Sequence, residues 1–189
     1  MIRPTRVTAM SVFPVTLTEA KAHCRVDGSD DDTVISELIK GATDLVGEMT
    51  GLVLGDEVWQ FGFRVTSGDV MFPKVPVQSI DQVNYIDPDG STLSDSVANY
   101  DLFPDPERPW MRPKLGQSWP ATSVREDAIT VQFSAGVAAV PAGLKTAILI
   151  LVGHWFEHRE AVVTGTIATE LPLAVEALVG AHRLGWVGA

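Results

Sequence analysis

Residues 30–51 read Asp30-Asp31-Asp32-Thr33-Val34-Ile35-Ser36-Glu37-Leu38-Ile39-Lys40-Gly41-Ala42-Thr43-Asp44-Leu45-Val46-Gly47-Glu48-Met49-Thr50-Gly51. Val34, Ile35, Leu38, Ile39, Ala42, Leu45, Val46 and Met49 recur at steps of three and four, which puts them on one stripe of an α-helix. Ser29 and the acids Asp30, Asp31 and Asp32 stand where a helix N-terminus favours negative charge and side-chain caps. Gly51 is placed to close the helix in a left-handed conformation. One apolar stripe must be buried against something, so the rest of the chain has to supply its partners.

Three further helices are expected. Upstream, Thr16 followed by Glu19 reads as a capping box, opening a short helix over Leu17 to Arg25 that Asp27-Gly28 ends. Downstream, Pro141 opens a third helix, where a missing amide proton costs little. Leu144, Ile148, Leu151 and Trp155 line one of its faces, and Ala147, Ile150 and Val152 make much of the rest apolar. Such a helix is either central in its own chain or meets another subunit with its second face. After a connection from Ala161 to Thr169, a last helix is expected from Pro172 to Leu184, with Val175, Leu178 and Val179 inward and Gly185 as its stop.

Between these parts the period alternates. Val58 to Val65, Val70 to Phe72, Ile80 to Ile86, Tyr100 to Phe103 and Ile129 to Phe133 read as short strands rich in β-branched and aromatic residues. Asp87-Pro88-Asp89-Gly90 is a turn signal. Pro104, Pro106, Pro109, Pro113 and Pro120 predict a long irregular excursion rather than a central strand. The fold class is therefore α+β: a small antiparallel helical bundle from residues 1–56 and 136–189, an inserted β-rich region with a proline-rich loop at 57–135, and a C-terminal helix and tail.

Composition narrows the function. The chain has 189 residues, 46% of them hydrophobic and 20% charged, with one cysteine and a formal charge of −10. That is a core-forming sequence, not a disordered tail. Tight wrapping of nucleic acid is disfavoured, because it needs cations to neutralise phosphates. Cys24 alone makes neither an intrachain disulfide nor a multi-cysteine zinc site. The apolar run Ala147 to Phe156 is far short of the roughly 20 residues that cross a bilayer. The segment Val7 to Val15, broken by Thr8, Ser11 and Pro14, does not read as a signal peptide. A cytosolic site of synthesis is expected.

Few motifs carry chemistry. His154-Trp155-Phe156-Glu157-His158 fits the inverted zincin pattern, with two histidines one turn apart and a glutamate to serve as base for a metal-bound water. It lacks a convincing further carboxylate ligand, since Glu170 and Glu176 lie close by on or beside a short helix. The plainer reading is a helix end where His158 and Arg159 complement the dipole. Asp27 to Asp32 fails as an EF-hand loop, having Asp32 and Leu38 where glycine and glutamate are required. His23 and Cys24, adjacent on a helix, point in different directions, and Cys24 reads as an inert thiol. No phosphate-binding glycine loop and no nucleophile elbow is present.

A resemblance runs through the chain in collinear order. It is carried by Thr16-Leu17-Thr18-Glu19-Ala20-Lys21, the acid-capped second helix, Pro76-Val77-Gln78-Ser79-Ile80, Val83-Asn84-Tyr85-Ile86-Asp87, Asp89-Gly90 and Ser118-Trp119-Pro120. It continues through Ile129-Thr130-Val131-Gln132-Phe133-Ser134-Ala135-Gly136, Val140-Pro141, His154 to Glu160, and Leu171-Pro172-Leu173-Ala174-Val175. In these pieces the sequence resembles the head-tail connector (adaptor) family of tailed bacteriophages and gene transfer agents.

The resemblance implies a structural, non-enzymatic virion protein that forms a ring of about twelve copies. That ring joins the capsid portal to the tail or stopper and extends the channel for double-stranded DNA, which passes without sequence-specific binding. It implies no cofactor and no metal, no membrane, a place at the head-tail interface, and assembly in the bacterial host cytoplasm. An acidic chain suits such a channel, since cationic walls would hold DNA. Leu184, Trp186 and Val187 are portal-interface candidates, because the family's C-terminal region commonly docks there; alternatively Trp186 folds back onto its own helix. Trp155, Phe156 and Trp110 are subunit-interface candidates, and Trp59, Tyr85 and Trp110 are candidates for the tail side. The alternatives are a zinc-dependent hydrolase using His154, Glu157 and His158, or another head or tail completion protein such as a stopper.

Overall fold

In the computed structural model, which describes residues 3–64, 68–158 and 173–184, the chain runs β1 (Thr5–Thr8), α1 (Leu17–Cys24), α2 (Asp32–Thr50), β2 (Glu57–Phe63), β3 (Val70–Met71), β4 (Val77–Ile86), β5 (Thr92–Asp95), β6 (Tyr100–Phe103), β7 (Trp110–Pro113), β8 (Ile129–Ala135), α3 (Ala142–Glu157) and α4 (Leu173–Gly180). It is a mixed α+β protein, as the sequence predicts, and its strands pair antiparallel. Two units form. One comprises Met1–Ser11 with Gly55–Val137, the other Val12–Leu54 with Ala138–Ala189.

The helical unit is organised by α3. Leu144, Ala147, Ile148, Leu151 and Val152 of α3 are buried with Ile35, Ile39, Ala42 and Val46 of α2, Ala20 of α1, and Val175 and Val179 of α4. Only Ala142, Thr146 and Glu157 on α3 are exposed. Its second apolar face therefore packs inside its own chain, since α3 touches all three other helices. Burial of this kind stabilises each large aliphatic side chain by about 1.5–3 kcal/mol.

The helix ends show which local signals were sufficient. At α1 both arms of the capping box form: the Glu19 amide donates to Thr16 Oγ1 at 3.2 Å and the Thr16 amide donates to Glu19 Oε2 at 2.7 Å. At α2 Gly51 takes φ +80, and its N–H donates to the Gly47 carbonyl. The expected side-chain caps from the acidic run do not form there: Asp31 is the N-cap and makes no side-chain capping bond. The Lys21 ammonium instead binds the Asp32 carboxylate and the Gly28 carbonyl, tying α1 to the start of α2. Helix α4 ends at Gly180, before the expected Leu184, because Ala181 and His182 turn, the His182 amide donating to the Val179 carbonyl. Its expected start and stop, Pro172 and Gly185, lie outside the described residues.

The β unit has a five-stranded sheet in the order β1-β2-β8-β4-β5 and a three-stranded sheet in the order β3-β7-β6. In β8, Ile129, Val131, Phe133 and Ala135 are buried, alternating with Thr130, Gln132 and Ser134. Phe72, just after β3, packs edge-on to Phe61 and Phe133 of the larger sheet, with ring centroids 5.7 and 5.0 Å away. The Asp87–Gly90 turn joins β4 to β5, the Gly90 amide donating to the Asp87 carbonyl at 3.0 Å.

The proline-rich stretch departs from expectation. It contains β7, the middle strand of the smaller sheet. Pro109 and Pro113 bracket the strand, leaving Trp110, Met111 and Arg112 with the amide protons a ladder needs. The close of β8 explains another piece of the sequence pattern. Gly136 has φ +155, and a Cβ there would lie 2.4 Å from the Gly55 carbonyl oxygen, so no larger residue fits.

Candidate interaction surfaces

Trp110 sits in a cross-strand row on the smaller sheet. Met71 pairs with Trp110 across β3 and β7, and Trp110 pairs with Phe103 across β7 and β6. The Phe103 and Trp110 rings stack with centroids 3.8 Å apart and planes within 6°. The Arg112 guanidinium lies 5.0 Å from the Phe103 centroid and 5.2 Å from that of Trp110. Alternation in β7 points Met111 the other way, into full burial. The row itself stays accessible: Met71 is exposed, Phe103 and Trp110 are half-buried, and Arg112 is exposed. Tryptophan, methionine, phenylalanine and arginine are the residues enriched at protein interfaces. Sequence reading found Trp110 but missed Met71, Phe103 and Arg112; the alternation Trp110-Met111-Arg112 between two prolines was the available signal.

Trp155 and Phe156 belong to the helical unit. Both are half-buried and pack against its core. The Trp155 ring covers Gly41 of α2, where an added Cβ would lie 3.6 Å from it. Trp59 and Tyr85 are half-buried in the β unit. Lys74 stands 4.7 Å from the Trp59 ring centroid, and the Trp59 indole N–H donates to Glu57.

The zincin-like histidines form a helix end. Their ring centroids are 4.7 Å apart. His158 is the C-cap of α3, its amide and its Nδ1 both 3.0 Å from the His154 carbonyl oxygen. His154 and Glu157 line a pocket of ≈ 340 Å³ together with His23, Cys24, Ile150 and Phe156. His23 and Cys24, which sequence reading set apart, thus share one cavity. Burial, and after it the Glu157 carboxylate, pushes the Cys24 thiol above its ordinary range, which favours the thiol over the thiolate. Among the described residues no group of three or more His, Cys, Asp or Glu side chains is placed to hold a metal ion. Glu160 and Glu170 lie outside them. Nor is any described helix long and apolar enough to cross a membrane.

Leu184, half-buried, is held at the end of α2: its amide donates to the Thr50 carbonyl at 2.9 Å, while Arg183 Nε donates to the Met49 carbonyl at 3.1 Å. Trp186 and Val187 lie outside the described residues.

Comparison with known proteins places this arrangement. Curated proteins give no match. A chain in the neck of an empty GTA particle computed with C6 symmetry is 20% identical, with 100% of this chain and 98% of that one covered at a TM-score of 0.79. A chain in the virion of a native gene transfer agent particle is 23% identical, with the same coverage of 100% and 98% and a TM-score of 0.78. One in the neck of a native GTA particle computed with C12 symmetry is 21% identical, again covering 100% and 98%, at 0.74. The fold is thus shared along the whole chain. Residues 15–183, from the α1 capping box through Arg183, match the family model described as head completion protein, and the chain belongs to the head completion protein family.

Proposed function

We propose that this chain is a structural, non-enzymatic virion protein that forms a ring at the neck, joins the capsid portal to the tail or stopper, and extends the DNA channel. The match of residues 15–183 to the head completion family carries this reading. The sixfold and twelvefold symmetry of the particles that share the fold supports a ring of about twelve copies. Ring contacts are heterologous, so two different faces of each copy must meet. Trp155, Phe156 and Trp110 are the subunit-interface candidates, and the Met71–Trp110–Phe103 row has the composition of an interface centre.

Leu184, Trp186 and Val187 are assigned to the portal. The helical connector domain, residues 1–56 and 136–189, carries that contact as a small bundle, and the β-rich region 57–135 is assigned to the tail side. Assembly takes place in the bacterial host cytoplasm, and DNA passes through the ring without sequence-specific contacts. A net charge of −10 keeps a polyanion from being held.

Reconstitution of the purified chain with its portal, followed by imaging, tests the reading. A closed ring beneath the portal is expected. Particles made in the presence of the chain that lack it at the DNA-exit vertex overturn the proposal.

A further inference from the structure

The larger sheet turns two very different faces outward and inward. Inward lie Phe61, Phe133 and Val83, all buried. On the opposite face, Gln60, Gln132 and Gln82 align across β2, β8 and β4, and Thr130, Asn84 and Ser94 align across β8, β4 and β5. Among the described strand residues on that face the only ionisable side chain is Asp81, at an irregularity in β4. Ser79 and Ser134 each donate a hydroxyl hydrogen bond to it at 2.7 Å, one to each carboxylate oxygen. Surfaces of soluble domains ordinarily carry about 25–35% charged residues of both signs. This face carries hydroxyls and amides instead, in a chain with 14 basic and 24 acidic residues to place elsewhere.

We infer that this outer face of the five-stranded sheet lines the channel and is the surface over which double-stranded DNA passes, an assignment that rests on the neck-ring reading above. Its chemistry suits a moving polyanion. Its strands present no cation, and the Arg125 guanidinium near its Gly62 end is already paired with Asp127 at 2.8 and 2.9 Å, so few counterions are released on meeting phosphate and DNA is not retained. Asp81, the one carboxylate among its strand residues, accepts two hydroxyl hydrogen bonds and is a single negative group on an otherwise uncharged set of strands, so local repulsion is small. Its side chains exchange hydrogen bonds with water and phosphate alike, leaving no deep well along the path. The face is poorly suited to a subunit contact, because interface centres are apolar and aromatic. Among the described residues paired on this face, Val58 and Ile86, towards its margins, offer aliphatic surface, both half-buried; exposed Val7 lies at an irregularity in the edge strand β1.

The test uses filled particles that carry the chain. In a Cys24→Ser background, Gln132→Cys is labelled with a short photoactivatable crosslinker, and Glu37→Cys, exposed on α2, serves as the control. The inference expects genome adducts from position 132 and none above background from position 37. Protein–protein adducts from position 132 would make the face a subunit contact and overturn it. A second arm introduces Thr130→Lys with Gln132→Lys. Repeated around a ring, these cations are expected to slow DNA release about tenfold, with recovery in raised salt. Unchanged release, or a defect indifferent to salt, counts against the inference. Imaging of the unmodified particles separates the two failures: a chain absent from the neck defeats the neck-ring reading, whereas a chain present there with protein adducts from position 132 defeats only the channel assignment.

Discussion

The Leu184 amide donates to the Thr50 carbonyl at 2.9 Å, so the chain after α4 closes the far end of α2. The last carbonyls of any helix lack partners within it. Here Gly51 returns its N–H to Gly47, Leu184 takes Thr50, and Arg183 Nε takes Met49. The guanidinium also sets a positive charge at the negative end of the helix dipole. Arg183→Ala is expected to lower stability by about 1 kcal/mol. Urea unfolding at low and high salt checks it, because the part due to the dipole shrinks with ionic strength.

With Leu184 held in place, the segment beyond it leaves from a fixed point on the helical unit. A portal anchor at Trp186 would lose little internal energy when truncated but much binding. Trp186→Ala is therefore expected to weaken portal binding about tenfold or more, with an unchanged urea midpoint. Should Trp186 instead fold back onto its own helix, the midpoint falls and portal affinity holds. Pull-down titration alongside equilibrium unfolding distinguishes the two.

Glu19 gives a pH-dependent contribution. The Thr16 backbone N–H, and after it the Thr16 hydroxyl, hold the Glu19 carboxyl below its ordinary value of 4.5. The folded state thus favours the carboxylate. This contribution is complete above the ordinary value and disappears as pH falls through the lower folded one. Thr16→Ala is expected to cost about 1 kcal/mol at neutral pH. Glu19→Gln should flatten the acid limb of a stability profile measured between neutral pH and pH 3, a range set by that ordinary value.

The parts of the fold legible in the sequence were those encoded locally. The α2 stripe, the Thr16–Glu19 box, the Gly51 stop and the Asp87–Gly90 turn each depend on residues within a turn or two of one another. Strand β1 was not legible, because all four of its residues are exposed and no alternation marks them. Strand β5 has only its last residue partly covered. Strand β7 was masked by Pro109 and Pro113, which bound it. The cap expected from the acidic run did not form because the N-cap Asp31 has φ −98 and ψ 3 rather than the extended backbone that aims a capping side chain at the first turn, while Asp32 is taken by Lys21 of another helix. The candidate surface followed the same rule. Trp110 stood out as an aromatic outside the helical pattern, while Met71 and Phe103 reach it only through strand register, which no local signal states.

That register makes the last prediction specific. Trp110 stacks on Phe103 at 3.8 Å and is flanked by Met71 on the neighbouring strand, with Arg112 over both rings. The stack contributes about 0.5–1.5 kcal/mol beyond burial. Trp110→Ala consequently lowers the chain's own stability modestly, and a loss of assembly after that change alone would be ambiguous. Met71→Glu resolves it. Met71 is 45% exposed and outside the buried core, so a carboxylate there is solvated in the isolated chain and costs little stability. In a ring, the same carboxylate would be buried against a neighbour, where an unpaired charge is strongly unfavourable. Met71→Glu is expected to leave thermal unfolding of the isolated chain within about 2 °C of the parent. Ring closure on the portal should nonetheless be abolished when followed by mass photometry. Normal closure would remove this row from the subunit contact and leave Trp155 and Phe156 to carry it.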